Sequence, residues 1–517
     1  MSSERRAPRA VFAVASATAA LALAALLGLG PAAAQEATAW SQYQGGPAHA
    51  AFVQDGPEPP FRVRWTLPAP AGVALSAAVV EGDEAIAVGE EAVYGVDVAT
   101  GDVAWEIPRA GGRLSVPAVG DAAGRRVLVY IEGPTGSGTT TATPPPTATV
   151  SPTESPTATE TTSTPSPATD EEGAGVSSVV AVGLGDKHTE VWRTPLEDVS
   201  RSGVTIEGGA AYVGDQAGNV YALSMDDGSV TWREQVGGRA DTPIAVGDGT
   251  AFVVGRDADT PRVVLAAFDA ATGERAWSPL ALQVNSTAGS APTFGGGSLF
   301  VGSADRRVRG LDASNGDERW NSLVLSVFSP ATALAFDGSS VFAADVGGGL
   351  YRLDASDGSR LWSFHVNEAV LRSAPVVSGS SVLLGLANGG MVAIDVESGH
   401  LVWRNEATPG LIGSMALASD AVIAVKGGRD AGLIAYEHDP DGRLLDEPSP
   451  TDFDAGTSLS RWAIAAVAVF AIAFVPGMLA RRRFGTVTDE DTTGDDEDAF
   501  GEDEDGPSED DPQGQGP

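Results

Sequence analysis

The chain contains no cysteine. That absence excludes disulfides, thiolate metal sites, a cysteine nucleophile and a lipid-modified amino-terminal cysteine, so packing and hydrogen bonding must hold the fold. Lysine is scarce too, with Lys187 and Lys426 the only two. Arginine therefore supplies nearly all the positive charge, and acidic residues outnumber basic ones 69 to 32, for a formal charge of -37. This argues against nucleic acid as a partner, because a phosphate backbone must be met by clustered Lys and Arg. So much charge of one sign gives a solvated, self-repelling surface instead. Aromatics are sparse at 6%, whereas glycine is abundant at 64 residues. Such a composition suits many short strands joined by tight turns and does not suit a helical bundle.

Long apolar runs occur only near the two ends. Arg5, Arg6 and Arg9 precede an apolar stretch from Val11 to Leu29, followed by Pro31 and by Ala32, Ala33 and Ala34 before Gln35. This is the layout of a secretory signal, residues 1–34, with a small-residue cleavage site. Near the other end, residues 462–480 form an uncharged run that as a helix spans roughly 28 Å, against a hydrocarbon core of about 30 Å. One transmembrane helix is expected there, kinked late by Pro476. Trp462 suits its outer interface, and Arg481, Arg482 and Arg483 mark its cytoplasmic side. Residues 35–446 are then expected outside the cell membrane, 447–461 form a linker, and 481–517 form a cytoplasmic tail. Beyond Arg483 that tail has acidic runs and no Lys or Arg, so it is expected to be disordered.

Between the ends the chain repeats itself. Val93, Tyr94, Gly95, Val96 and Asp97 are followed by Thr100, Gly101 and Trp105; Leu265, Ala266, Ala267, Phe268 and Asp269 by Thr272, Gly273 and Trp277. The shared pattern, A-x-D-x-x-T-G-x-x-x-W with tolerant positions, returns before Trp232, Trp320, Trp362 and Trp403. Two copies are worn: the one running from Ala181 to Trp192 lacks the motif glycine, and the one at Ala435, Glu437, Asp441 and Gly442 has no tryptophan after it. From Trp192 to Trp403 the steps are 40, 45, 43, 42 and 41 residues, one four-stranded propeller blade each. An earlier apolar strand in each unit is often begun by proline, at Pro117, Pro243, Pro292, Pro330 and Pro375.

The motif's chemistry follows from its place between the third and fourth strands. Glycine supplies a positive φ for the reversal, and the Asp, Thr, Asn or Ser before it bonds the turn backbone. Tryptophan on the outer strand lays its ring against the neighbouring blade and directs its indole N–H to a backbone oxygen. With Trp65 added to Trp105, Trp192, Trp232, Trp277, Trp320, Trp362 and Trp403, eight rings dock eight blades. Trp65 comes too early to follow a complete blade. Its strand is therefore expected to complete the blade built from about Ile412 to Leu445, which closes the ring and hides its edges.

One interval is double length, 87 residues from Trp105 to Trp192. The excess is a Thr-, Ser- and Pro-rich tract, residues 134–172, lying between the strands Val127 to Ile131 and Ser178 to Val182. It reads as a disordered loop inserted in the second blade, either O-glycosylated or a plain spacer.

These copies, with Trp40, Gln44, Gly45, Gly46 and His49 ahead of them, resemble the pyrroloquinoline-quinone-like propeller repeat of quinoprotein dehydrogenases and the BamB-type outer-membrane assembly lipoprotein. The resemblance covers about residues 40–446 and implies an all-β, eight-bladed propeller of four-stranded antiparallel blades, here with one carboxy-terminal transmembrane helix. Two departures bear on function. The dehydrogenases carry adjacent cysteines beside the quinone, with a calcium-ligand and catalytic-aspartate set, and neither is found here; the lipoprotein is held by a lipidated cysteine, also missing.

The histidines His49, His188, His365, His400 and His438 show no metal-ligand spacing and are expected at the surface or in turns. No catalytic or metal residue is assigned. Arg113 and Arg239 each stand four residues before a blade-starting proline and Arg372 three before another, so these three would ring one channel mouth and attract a small anion; the alternative is loop arginines paired with nearby carboxylates. The expected function is a non-catalytic, membrane-anchored scaffold that binds a protein or cell-surface polymer. The alternative is a membrane-bound dehydrogenase using pyrroloquinoline quinone and calcium.

Overall fold

A computed structural model describes residues 40–448 apart from 70–73, 134–175, 186, 257–262, 283–289, 304, 324–332, 367, 371–372, 406–408 and 429. The expected signal segment, the Thr-rich tract and the expected membrane helix lie outside the described residues. Among those described, no helix is long and apolar enough to cross a membrane.

The apolar segments pair into eight sheets, each an antiparallel meander running from an inner strand to an outer one. Blade 1 consists of Val79–Glu81, Glu84–Val88, Ala92–Asp97 and Val103–Pro108. Blade 2 takes 118–132 and 178–195, and blades 3 to 7 follow at 205–235, 245–282, 293–323, 335–365 and 376–404. Strands in the middle of a blade are covered on both sides by neighbouring blades, so they read as continuous apolar runs; Ser340–Ala344 is buried throughout. Outer strands cover only one face, and Val230–Gln235 has one buried residue, Trp232. Neighbouring inner strands touch in chain order from blade 1 to blade 7, blade 8 packs against blade 7, and its inner strand returns to blade 1. The ring is closed.

Closure uses the strand expected for it. Blade 8 takes Leu411–Leu417, Ala421–Gly427 and Gly432–His438 from the end of the repeat region and Phe61–Pro68 from its start, in register from Phe61 opposite His438 to Pro68 opposite Gly432. In blade 2, Arg125–Glu132 pairs with Ser178–Gly183 up to Glu132 opposite Ser178, so the Thr-rich tract departs from and returns to one hairpin. Proline opens fewer strands than its spacing suggests. Pro117, Pro292 and Pro375 immediately precede inner strands, but Pro243 stands two residues before Ala245–Gly247, and blade 6 begins only at Ala335, five residues past Pro330. There the register is set by the pairing of Ala335 and Phe336 with Phe342 and Val341, not by a proline.

At all eight outer strands the register slips by one residue next to the tryptophan, as between Ala222 opposite Trp232 and Leu223 opposite Val230. Such a bulge turns the strand and re-aims its side chain. The indole then reaches the next blade. Six of the rings donate to a carbonyl there: Trp65 to Val98 at 2.8 Å, Trp192 to Met225 at 2.7 Å, Trp232 to Ala270 at 2.9 Å, Trp277 to Ala313 at 3.2 Å, Trp320 to Ala355 at 2.9 Å and Trp362 to Val396 at 2.7 Å. The same six rings lie on the motif glycines of the following blade, Gly101, Gly228, Gly273, Gly316, Gly358 and Gly399, where a Cβ would come within 3 Å of the indole. The glycine therefore permits the turn and leaves room for the neighbour's ring.

Trp105 and Trp403 depart from the expectation of a backbone acceptor. Both face the worn copies. Trp105 donates to the Glu84 carboxylate of its own blade at 2.9 Å and lies against His188, ring centroids 4.5 Å apart and tilted, in the blade 2 turn that lacks the motif glycine. Trp403 meets Phe61 edge-on at 5.3 Å and Tyr436 at 6.3 Å, because blade 8 has no hairpin between its third and outer strands to offer a turn.

Two glycine substitutions separate the roles. Gly249 has φ +72° with nothing near its missing Cβ, whereas Gly273 has φ +76° with the Trp232 ring 2.8 Å away. Gly249→Ala is expected to cost about 1–2 kcal/mol, the backbone term alone. Gly273→Ala should cost a further ~1–3 kcal/mol by overpacking, and comparing their denaturant midpoints checks this.

Candidate functional site

The motif aspartates are committed to the turns. Asp97, Asp269 and Asp312 each accept a hydrogen bond from an amide two residues on, as at 2.9 Å from Ser314 to Asp312. These bonds stabilise the ionised carboxylates, and the Ser314 hydroxyl and amide together with Arg319 hold Asp312 down to about 2. A second buried set appears at the turns between second and third strands. Asp215 accepts from the Asn219 amide and from the Tyr221 hydroxyl at 2.8 Å, and Asp345 accepts from Gly347 and from Tyr351 at 2.9 Å. Burial first, with the adjacent carboxylate, pushes both tyrosines well above their usual range. These carboxylates brace loops.

The most specific arrangement lies at the centre. Residues 40–53 run around the channel and meet the second residue of the inner strand in blades 1 to 7 in turn. Val80 donates to Trp40, Val119 to Ser41, Val246 to Pro47, Phe294 to Ala48, Phe336 to Ala50 and Val377 to Ala51, all through main-chain oxygens at 2.8–2.9 Å. At Ile206 a side chain takes the place of the backbone. Gln42 supplies the equivalent, its side-chain amide accepting from the Ile206 N–H at 2.7 Å and donating to the Ile206 oxygen at 2.8 Å. Phe52 and Val53 finish as an extra parallel strand on blade 7. Each contact stands next to the turn joining inner and second strands, so this plug spans the channel at the face that also carries the Asp–Gly turns.

His49 belongs to the plug, which corrects the expectation that the histidines are superficial. It is fully buried, with Nδ1 3.0 Å from the Pro292 oxygen and Nε2 3.4 Å from the Thr205 hydroxyl. Burial lowers its pKa to about 4. Tyr43 stands edge-on to it at 5.1 Å. Gln44, on a positive φ, is also buried, and neither of its amide atoms has a hydrogen-bond partner among the described residues.

The opposite face carries the connections from outer to inner strands and from second to third strands, and the arginines expected to form a mouth fall there. Arg113 is exposed in the connection from blade 1 to blade 2 and Arg239 in that from blade 3 to blade 4, so they share a face two blades apart. Arg372 lies outside the described residues. The main chain of Arg239 pairs with Arg256 at 2.7 and 2.9 Å. The guanidinium that organises this face is Arg109, which the spacing did not single out. It is buried and donates to the oxygens of Gly89 at 2.8 Å, Arg113 at 2.7 Å and Ile131 at 2.9 Å, and desolvation lowers its pKa. Glu132 beside it accepts from the Ala110 amide at 2.6 Å and pairs with Arg193. Together they fasten the stem from which the Thr-rich tract departs.

The family model described as outer membrane protein assembly factor BamB matches residues 177–326 and again 326–480, more than half of the chain. The chain belongs to this family. Among curated BamB proteins it is 28% identical to that of Yersinia pestis over 155 residues, 28% of this chain and 38% of the relative, and 36% identical to that of Salmonella typhimurium over 69 residues, 13% and 17%. The chain thus spans well under half the length of the curated relatives it matches. The crystal structure of BamB from Moraxella catarrhalis superposes with a TM-score of 0.51 at 16% identity, covering 73% of this chain and all of that one. The quinohemoprotein alcohol dehydrogenase ADHIIG from Pseudomonas putida gives 0.59 at 11%, covering 81% and 83%. At such identities the likeness is one of fold.

The dehydrogenase likeness raises the question of quinone and calcium. The chain has no cysteine to form a disulfide beside the quinone. Among the described residues no three His, Cys, Asp or Glu side chains gather as metal ligands would. The carboxylates Asp215 and Asp345 are occupied by turn amides and tyrosine hydroxyls. The described residues do not fit the quinone–calcium set.

Buried His49 and the exposed motif aspartates together predict a two-stage response to acid. His49 is neutral when folded, with a value of about 4 against 6.5 when unfolded, so its contribution is complete above about pH 6.5 and is lost as pH falls to about 4. That loss amounts to about 3 kcal/mol. The motif aspartates act later, their contribution being present above 3.8 and lost as pH falls through about 2 at Asp312. Tm followed against pH should fall in both ranges, and His49→Gln should flatten only the first.

Proposed function

We propose that this BamB-family chain is a non-catalytic scaffold, anchored in the cell membrane by residues 462–480 with its propeller outside, that binds proteins or polymers on the propeller face opposite the plug. The observation that carries this reading is the asymmetry of the two faces. One is spanned by residues 40–53 through main-chain bonds to six blades and the Gln42 side chain to a seventh, and bears the repeated turns; the other carries the longer connections, Arg113 and Arg239, and the anchored stem of the Thr-rich tract. Variable connections on a rigid ring are where binding is ordinarily placed. The name of its relatives, assembly factors for outer membrane proteins, supports a partner that is itself a protein. The strongly acidic composition makes exposed arginines the natural docking points for an acidic or polar partner.

Cross-linking and affinity capture of the intact membrane protein test this reading. A specific partner should be recovered from wild type and reduced about tenfold or more by Arg113→Glu combined with Arg239→Glu, while substitutions on the turn face leave it unchanged. Recovery of no partner under any condition would count against a scaffold. Reduction of dye by the purified protein supplied with pyrroloquinoline quinone, calcium and an alcohol or sugar would establish the dehydrogenase alternative.

A further inference from the structure

Among the described residues, blade 8 alone takes its third and outer strands from opposite ends of the repeat region, and it therefore lacks the turn on which a preceding tryptophan rests. Trp403 of blade 7 has only aromatic edges there. The chain after Gly432–His438 does not simply leave. The Asp439 amide donates to the Pro60 oxygen at 2.7 Å, holding the entry to the strand Phe61–Pro68. Gly442 passes so close to Pro60 that a Cβ would lie 2.7 Å from its ring. The chain then adds itself to the outer edge of blade 7: Leu445 donates to the Val402 oxygen at 2.8 Å, Leu401 donates to Glu447 at 2.8 Å, and Glu447 donates back at 3.2 Å. Asp446 accepts from or pairs with His400 Nδ1 at 2.7 Å.

The effect on packing is visible at one register position. Two residues before the tryptophan, Val63, Val103 and Val230 are 48%, 44% and 47% exposed on their outer strands, whereas Leu401 is 5% exposed beneath residues 445–447. Leu445 packs onto the same apolar cluster as Trp403 and Phe61. An edge exposed at Val63, Val103 and Val230 is thus covered at a seam without the indole–glycine contact.

We infer that residues 439–447 are a clasp that holds the ring shut, replacing at the blade 7–blade 8 seam the indole–glycine contact used at six others. Its bonds join three pieces that no hairpin connects: the outer strand of blade 7, the first strand of the repeat region and the last. Releasing it loosens all three together while leaving the far side of the ring intact.

The test is hydrogen exchange read by mass spectrometry on the full-length, detergent-solubilised protein carrying Leu445→Pro and Glu447→Pro. These changes remove the two clasp amides that donate to blade 7, because proline has no N–H. Exchange is expected to accelerate about tenfold or more in Leu401–Arg404 and also in Phe61–Pro68 and Gly432–His438, with Thr250–Arg256 across the ring unchanged. Acceleration confined to Leu401–Arg404 would make the segment a passive tail and overturn the inference, as would no acceleration at all. If the double-proline chain does not fold, Asp446→Ala carries the test: the same three segments speed up together by a smaller factor, or the clasp is abandoned.

Discussion

The contact on which the ring depends is a flat indole resting on a bare Cα. A tryptophan can approach a backbone turn closely only where no Cβ intervenes, and the positive φ that makes glycine favourable in the turn already removes it. One residue type thus solves two problems at once, reversal of its own chain and docking of the blade before it. The bulge beside each tryptophan is the counterpart on the other blade, twisting the outer strand until the ring points across the seam.

Where the contact fails, neighbouring chemistry is recruited in its place. At the seam between blades 1 and 2 the turn holds His188, and Trp105 finds a carboxylate and an imidazole face. At the seam between blades 7 and 8 there is no turn, and three aromatic rings with an added strand take over. Arg62 and Arg64 on the closing strand grip Glu437 at 2.7 Å, and Arg64 also holds Asp420 at 2.7 Å, so closure is polar at its exposed rim and aromatic beneath. Exposed pairs of this kind contribute little individually, and the apolar layer carries more of the seam.

Blade number, blade size, the position of the long insertion and closure by the strand containing Trp65 were all legible in the sequence, because each leaves a side-chain signature at a regular interval. The partner of each tryptophan was not, since the glycine beneath Trp232 is Gly273, in the next unit, and periodicity alone cannot tell a contact within a unit from one between units. The plug was nearly invisible. Its bonds run through main-chain oxygens that any residue can offer, and only Gln42, imitating a peptide group, betrays it by residue type. Arginines fared similarly: Arg113 stood out by its distance from a proline, yet Arg109, four residues earlier, is the one whose guanidinium is buried among carbonyls. Burial within a loop has no period to read.

The plug also orders events in time. Residues 40–53 leave the ribosome before any blade exists, yet their acceptors serve amides spread from Val80 to Val377, and the strand that follows them must wait for Gly432–His438. The first part of the repeat region to be made is therefore the last to be seated. Such wide sequence separation makes completion slow, and until it occurs the inner strands expose amides and apolar side chains around an open bore. A newly made chain is consequently most vulnerable to proteases and to misassembly at its beginning, long after its interior blades have stacked.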